Sequence, residues 1–179
     1  MATDESTTEF TMPDLLAAVD TPSCDTDSDA SLSCATYPAI EPYTSVPVPG
    51  ETYQIKDVET GRTIMMEDGI LTLKSDVGKR GGWHWHCVER AGGWLGFREA
   101  VSGNYLGRDG KGGFQVKFNH FISWESFCLR PLKGGGYHIL VLQVVKDTSC
   151  LRRIGIADSY KLIEVETAAE ATLWEFIKV

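Results

Sequence analysis

The first fifty residues contain no lysine and no arginine. All 17 basic residues follow Gly50, whereas nine of the 25 acids (Asp4, Glu5, Glu9, Asp14, Asp20, Asp25, Asp27, Asp29 and Glu41) precede it. The formal charge of −8 therefore belongs to the tail, and residues 51–179 are close to neutral. A near-neutral body lacks the basic face that nucleic acid requires, so no nucleic-acid partner is expected. No apolar run approaches the roughly 18 residues of a spanning helix, so no membrane partner is expected. A basic segment followed by an apolar one is missing from the N-terminus, which predicts no signal peptide. Asn104 and Asn119 are the only asparagines, and neither has Ser or Thr two positions on, so no glycosylation sequon exists. Five cysteines are too few and odd in number for a secreted disulfide framework. Together these absences predict a cytoplasmic monomer with reduced thiols. Gly-x-Ser-x-Gly and His-Glu-x-x-His are also absent. The chain therefore reads as a non-enzyme with no cofactor and no catalytic residue.

What is present divides in two. Residues 1–50 are rich in Ser, Thr, Asp and Pro and poor in aromatics. Such a segment buries too little surface to offset its ordering entropy, which predicts a disordered acidic tail. One island, residues 11–20, has a capping Thr11, Pro13 in the first turn and Leu15, Leu16 and Val19 on one face, as in a nascent helical turn. Pro38, Pro42, Pro47 and Pro49 make an extended linker into residues 51–179.

The body repeats itself. An apolar residue recurs at Ile64, Leu106 and Ile154, and tryptophans recur at Trp83, Trp124 and Trp174. The second interval is the longer one in each series, which predicts an insertion in the third copy. A period in the forties marks a repeat architecture. Turn signals divide each copy into four short strands: 52–57, 62–66, 70–74 and 83–88; 94–98, 104–108, 113–118 and 124–130; 138–143, 151–156, 160–164 and 173–178. Asp68-Gly69, Asp109-Gly110 and Asp158-Ser159 supply hairpin turn chemistry. Alternation in Phe114, Val116 and Phe118 against Gln115 and Lys117 marks antiparallel, half-buried strands. The fold expected is all-β: a β-trefoil of three four-stranded repeats (about 51–92, 93–135 and 136–179) with pseudo-threefold symmetry. Three propeller blades would not close.

The pattern Gly-x-Tyr-Leu-Gly…Gly…Trp-Glu-x-Phe in residues 103–127, echoed by Trp83-His-Trp-His-Cys-Val88 and Trp174-Glu-Phe-Ile177, resembles the fascin-like β-trefoil family, in particular its fungal-type single-trefoil members. That resemblance covers residues 53–179 and implies a protein-binding module, with filamentous actin as the named partner. The alternative is a carbohydrate-binding, lectin-like trefoil. The Gln-x-Trp triplet of ricin-type lectins is missing, since no Gln stands two residues before a Trp.

Candidate binding residues are those outside the repeat: Lys79, Arg80, Arg108 and Lys111 in loops, where they could form a patch for an acidic partner; Trp94 after Gly92-Gly93, as the tryptophan expected to be exposed; and the Asn119-His120 loop. Trp83, Trp124 and Trp174 are read as core, because symmetry-related apolar positions follow the packing. His84 and His86 would share one face of a strand, but two ligands do not complete a metal site, so no metal is expected. Cys87 and Cys128, each four residues beyond a landmark tryptophan, are read as packing residues.

Overall fold

The computed structural model describes residues 46–79, 81–145 and 148–179. The acidic tail up to residue 45, with its island at 11–20, and the candidate residue Arg80 lie outside the described residues. The described residues form twelve strands: β1 Thr52–Asp57, β2 Thr63–Glu67, β3 Ile70–Lys74, β4 Trp85–Arg90, β5 Trp94–Glu99, β6 Tyr105–Arg108, β7 Phe114–Phe118, β8 Phe127–Pro131, β9 Tyr137–Val145, β10 Thr148–Ile156, β11 Leu162–Val165 and β12 Trp174–Lys178. Six of them close a ring by antiparallel pairing in the order β1, β4, β5, β8, β9, β12 and back to β1. The other six form three hairpins, β2–β3, β6–β7 and β10–β11. A closed six-stranded barrel with three hairpins is the β-trefoil, and closure removes the barrel's sheet edges.

Local chemistry explains the hairpins. Glu67 pairs with Ile70, leaving Asp68 and Gly69 as a two-residue loop. Both have positive φ, +50° and +80°, the left-handed geometry that matches strand twist. Asp109 holds the β6–β7 turn, its Oδ1 accepting the amides of Lys111 (2.7 Å) and Gly113 (2.9 Å).

The core repeats every 42 residues across the first strand of each copy. Ile55, Phe97 and Ile139 are fully buried, and Tyr53 and Tyr137 stand in the layer that Leu95 completes. Burying a side chain such as Ile or Phe contributes about 1.5–3 kcal/mol. The fourth strands supply Trp85, Phe127 and Trp174. Each indole reaches back to its own copy's second strand: Trp85 Nε1 donates to the Ile64 carbonyl at 2.9 Å, and Trp174 Nε1 to that of Ile154 at 3.5 Å.

This corrects the landmark assignment. Trp174 is core, but the positions related to it are Trp85 and Phe127, not Trp83 and Trp124. Trp83 sits in a tight turn before β4, where it stacks on His84 with ring centroids 3.7 Å apart. Trp124 falls in a 3-10 turn, Ser123–Glu125, before β8. That turn is fixed by the Glu125 carboxylate accepting the Ile122 amide (3.0 Å) and by the Ser126 hydroxyl donating to the Ile122 carbonyl (2.7 Å). It turns Trp124 outward, leaving it 43% exposed. The cysteines shift with the landmarks: Cys87 is in the core two residues past Trp85, whereas Cys128 is one residue past Phe127 and only partly buried.

The longer third copy has a structural cause. β1 and β5 end in the same turn, closed by a buried carboxylate. Asp57 accepts the amides of Glu59 and Thr60 and the Thr60 hydroxyl, and Glu99 accepts the amides of Val101 and Ser102. The corresponding residue of β9 is Val141, which has no such group. The chain runs on to Val145 and returns from Thr148, so β9 and β10 are each nine residues long. β8 pairs with β9 only as far as Val141, and β11 pairs with β10 only from Arg153 onward. The extension of this hairpin, residues 142–145 and 148–151, is therefore paired only with itself.

Candidate binding cleft

The outward Trp124 and the extended β9–β10 hairpin face one another. Between them lies a cleft of about 260 Å³ lined by Arg108, Gly110, Ser123, Trp124, Leu142, Gln143 and Val144. Its floor is set by close approach. A Cβ on Gly110 would stand 3.0 Å from Trp124 Cη2, and Gly110 also has φ +77°, so the position suits glycine on both counts. Arg108 closes one end. Its guanidinium makes a two-pronged pair with Glu164, Nε to Oε1 at 2.5 Å and Nη2 to Oε2 at 3.0 Å, and both side chains are nearly buried. Nη1 donates to the Leu142 carbonyl at 3.5 Å, tying the cleft wall to β6. The guanidinium carbon lies 6.0 Å from the Trp124 ring centroid. Opposite, Gln143 Oε1 accepts from Arg152 Nε at 2.8 Å. Arg152 is itself paired with Glu166. Val144 is 56% exposed. The cleft thus combines one exposed aromatic face with a small number of fixed polar groups, the usual composition of a small-ligand site.

The residues expected to bind are dispersed. Lys79 is exposed on the rim of a larger cleft of about 850 Å³ between the β2–β3 hairpin and the β5–β6 turn. That cleft carries mixed charge and no aromatic lining, and Lys74 within it is paired with Glu67. Lys111 lines a third depression, with Lys117 and Lys161, where the hairpins meet. Arg108 is the one expected residue in the Trp124 cleft, and its charge is matched by Glu164. Trp94 begins β5 and is half-buried. Asn119 and His120 are exposed on the loop after β7, with the His120 ring 5.1 Å from that of Phe118. Lys79, Arg108 and Lys111 therefore line three different depressions.

The tryptophan with the exposed face is Trp124, which the repeat argument had placed in the core. The sequence feature that bears on it is the insertion in the third copy, which supplies the opposite wall but, read as spacing alone, located no site. Gln143, Val144 and Ser123 carried no separate signal.

The remaining reactive groups are held quiet. Cys87 is pushed up to about 12 by burial and then by the nearby Glu89 charge, and burial also raises Cys128. Neither thiol is poised as a nucleophile. His84 precedes β4 and contacts the Gly81 carbonyl, whereas His86 on β4 contacts Thr52. Among the described residues no three His, Cys, Asp or Glu side chains gather as a metal site.

No protein-family model and no curated protein sequence matches the chain. Solved structures do, at the level of the fold. A chain titled SeviL bound to asialo-GM1 saccharide superposes with TM-score 0.59 and 14% identity, covering 72% of this chain and 98% of that one. The designed threefold-symmetric protein ThreeFoil gives 0.58 and 13%, covering 72% and 99%. A GlcNAcα1-4Gal-releasing endo-β-galactosidase from Clostridium perfringens gives 0.59 and 14%. There the match covers 72% of this chain but only 32% of the enzyme. The protein is a β-trefoil. The expectation of a protein-binding module associated with actin is corrected here. The three neighbours include a saccharide-bound chain and a glycosidase, and none of the three is titled as an actin-binding protein. Of the basic residues expected to serve an acidic partner, Lys79, Arg108 and Lys111 line different depressions, and Arg108 is engaged by Glu164.

Proposed function

We propose that the protein is a carbohydrate-binding module and that saccharide sits in the cleft between Trp124 and the β9–β10 hairpin. The observation that carries this reading is the exposed indole of Trp124, held close against Gly110 and walled by polar groups whose positions are fixed by other residues. A sugar ring presents an apolar C–H face and a rim of hydroxyls. An indole covers the first, and fixed donors and acceptors meet the second. The likeness to a saccharide-bound trefoil supports the reading through the fold alone.

The role proposed is binding without catalysis, in keeping with the Cys87 and Cys128 thiols being held protonated by burial. The fascin-like character read from residues 103–127 names no ligand in this reading: its Leu106 and Phe127 build the core, and its Trp124 is the proposed stacking face.

A glycan array probed with the full chain and with Trp124→Ala tests the proposal. Trp124 is exposed, so its replacement leaves the fold intact. Array signals should fall at least about tenfold, the loss expected when a stacking anchor worth roughly 1.4 kcal/mol or more is removed. Array binding unchanged by the substitution would remove the cleft from the account.

A further inference from the structure

The wall opposite Trp124 is a free strand edge, and its polarity can be worked out atom by atom. The Leu142 carbonyl accepts from Arg108, away from β10, so Leu142 and Leu151 form a pair that does not exchange main-chain hydrogen bonds. In an antiparallel ladder such pairs alternate with bonded ones. Gln143 therefore spends its main-chain groups on Cys150, and Val144, paired with Ser149, turns its own N–H and C=O outward. β8 ends its pairing at Val141, so no strand covers Val144.

The Gln143 side chain adds a third group. Arg152 only donates, so the Gln143 atom facing it is the oxygen. The Cys150 thiol lies against that same oxygen at 3.5 Å. The two N–H donors of the Gln143 amide have no protein partner among the described residues. The wall therefore offers an outward main-chain donor and acceptor at Val144, with the Gln143 amide donors on one face of the strand and the apolar side chains of Leu142 and Val144 on the other. The natural complement of a strand edge is another amide, which supplies one N–H, one C=O and a small apolar substituent.

Resting on the carbohydrate reading above, we propose that the cleft selects 2-acetamido sugars, the ring lying on Trp124 and the acetamido group pairing with the Val144 edge and Gln143. A sugar with a hydroxyl in place of the acetamido group keeps the stacking but leaves the Val144 acceptor or the Gln143 donor without its partner.

Paired titrations of the full chain test this: N-acetylgalactosamine against galactose, and N-acetylglucosamine against glucose, followed by amide and indole shifts in two-dimensional 15N spectra. At least one acetamido sugar should bind about tenfold more tightly than its parent, with the Val144 amide and the Gln143 side-chain amide among the moving signals. Gln143→Glu keeps an oxygen for Arg152 but removes the amide donors, so it should lower that preference several-fold. Equal binding of acetamido and parent sugars, with Trp124 still shifting, overturns the inference while the carbohydrate reading stands. No shift at Trp124 with any sugar overturns both. A preference that survives Gln143→Glu unchanged and leaves Val144 unmoved also overturns the inference.

Discussion

Arg108 and Glu164 lie 56 residues apart in the chain and meet as a nearly buried two-pronged pair. In the sequence Arg108 is simply a loop cation that does not repeat, and nothing local reveals its partner. The structure gives it a positioning role: it ties β6 to β11 and to the Leu142 carbonyl. Removing one member of a buried pair strands the other charge. Arg108→Ala should therefore cost about 3 kcal/mol or more in urea unfolding. A loss below about 1 kcal/mol would mean the pair is effectively solvated. His138 behaves in a related way. It is buried, and burial first, then the charges of Arg153 and Arg130, hold its imidazole below the ordinary value of 6.5. The unfolded chain therefore takes up the proton first as pH falls. The stability this histidine allows is complete above pH 6.5 and declines below it, through the folded-state value. Melting temperature should thus drop between pH 7.5 and pH 5, with a smaller drop in His138→Gln. Identical pH profiles for the two proteins would contradict this.

At the scale of elements, strands were legible and their entries were not. β1 and β3 fall at the residues read from alternation and turn chemistry, and the other ten lie within a few residues of theirs. Four starts are displaced by two or three residues, those of β4, β8, β10 and β11, and at β4 and β8 a tryptophan was taken to open the strand. In both places a tight turn precedes the strand, and its geometry depends on contacts from elsewhere in the copy. Gly82 shows this for β4. Its carbonyl accepts the Met66 amide at 2.7 Å, and a Cβ on it would lie 2.1 Å from the Met66 carbonyl oxygen. Gly82→Ala must push β2 and the β4 entry apart and should cost at least about 2 kcal/mol. Gly134→Ala is the control: a Cβ there has nothing within 4 Å and φ is not left-handed. Its stability should stay within about 0.5 kcal/mol of the parent. Equal effects of the two substitutions in denaturant unfolding would show that the contact at Gly82 is not what limits this turn. The candidate cleft was illegible for the same reason. Trp124 is exposed because a 3-10 turn carries it outward, and the wall it faces comes from an insertion some twenty residues later.

Over the whole molecule, symmetry explains the scaffold and its breakage locates the cleft. Two copies close their first strand with a buried carboxylate, Asp57 and Glu99. The third has Val141 in that place, and its chain runs outward as a hairpin with unpaired edges. The repeated positions, among them Ile55, Phe97 and Ile139, form the core, and the hairpin extension is the part without a counterpart. Shortening the extension to the turn length of the other two copies should leave a cooperative unfolding transition but abolish saccharide binding, read by thermal melting beside the glycan array. Retained binding in the shortened chain would place the saccharide elsewhere. The most direct measurement is a saccharide titration followed through the tryptophan indole N–H signals, with Trp124 assigned from its loss in Trp124→Phe. The account predicts a saturable shift of the Trp124 signal. It predicts no movement at Trp85 or Trp174, whose indoles are buried and bonded to Ile64 and Ile154. A Trp124 signal that stays fixed while other positions respond, or that no saccharide moves, would contradict it.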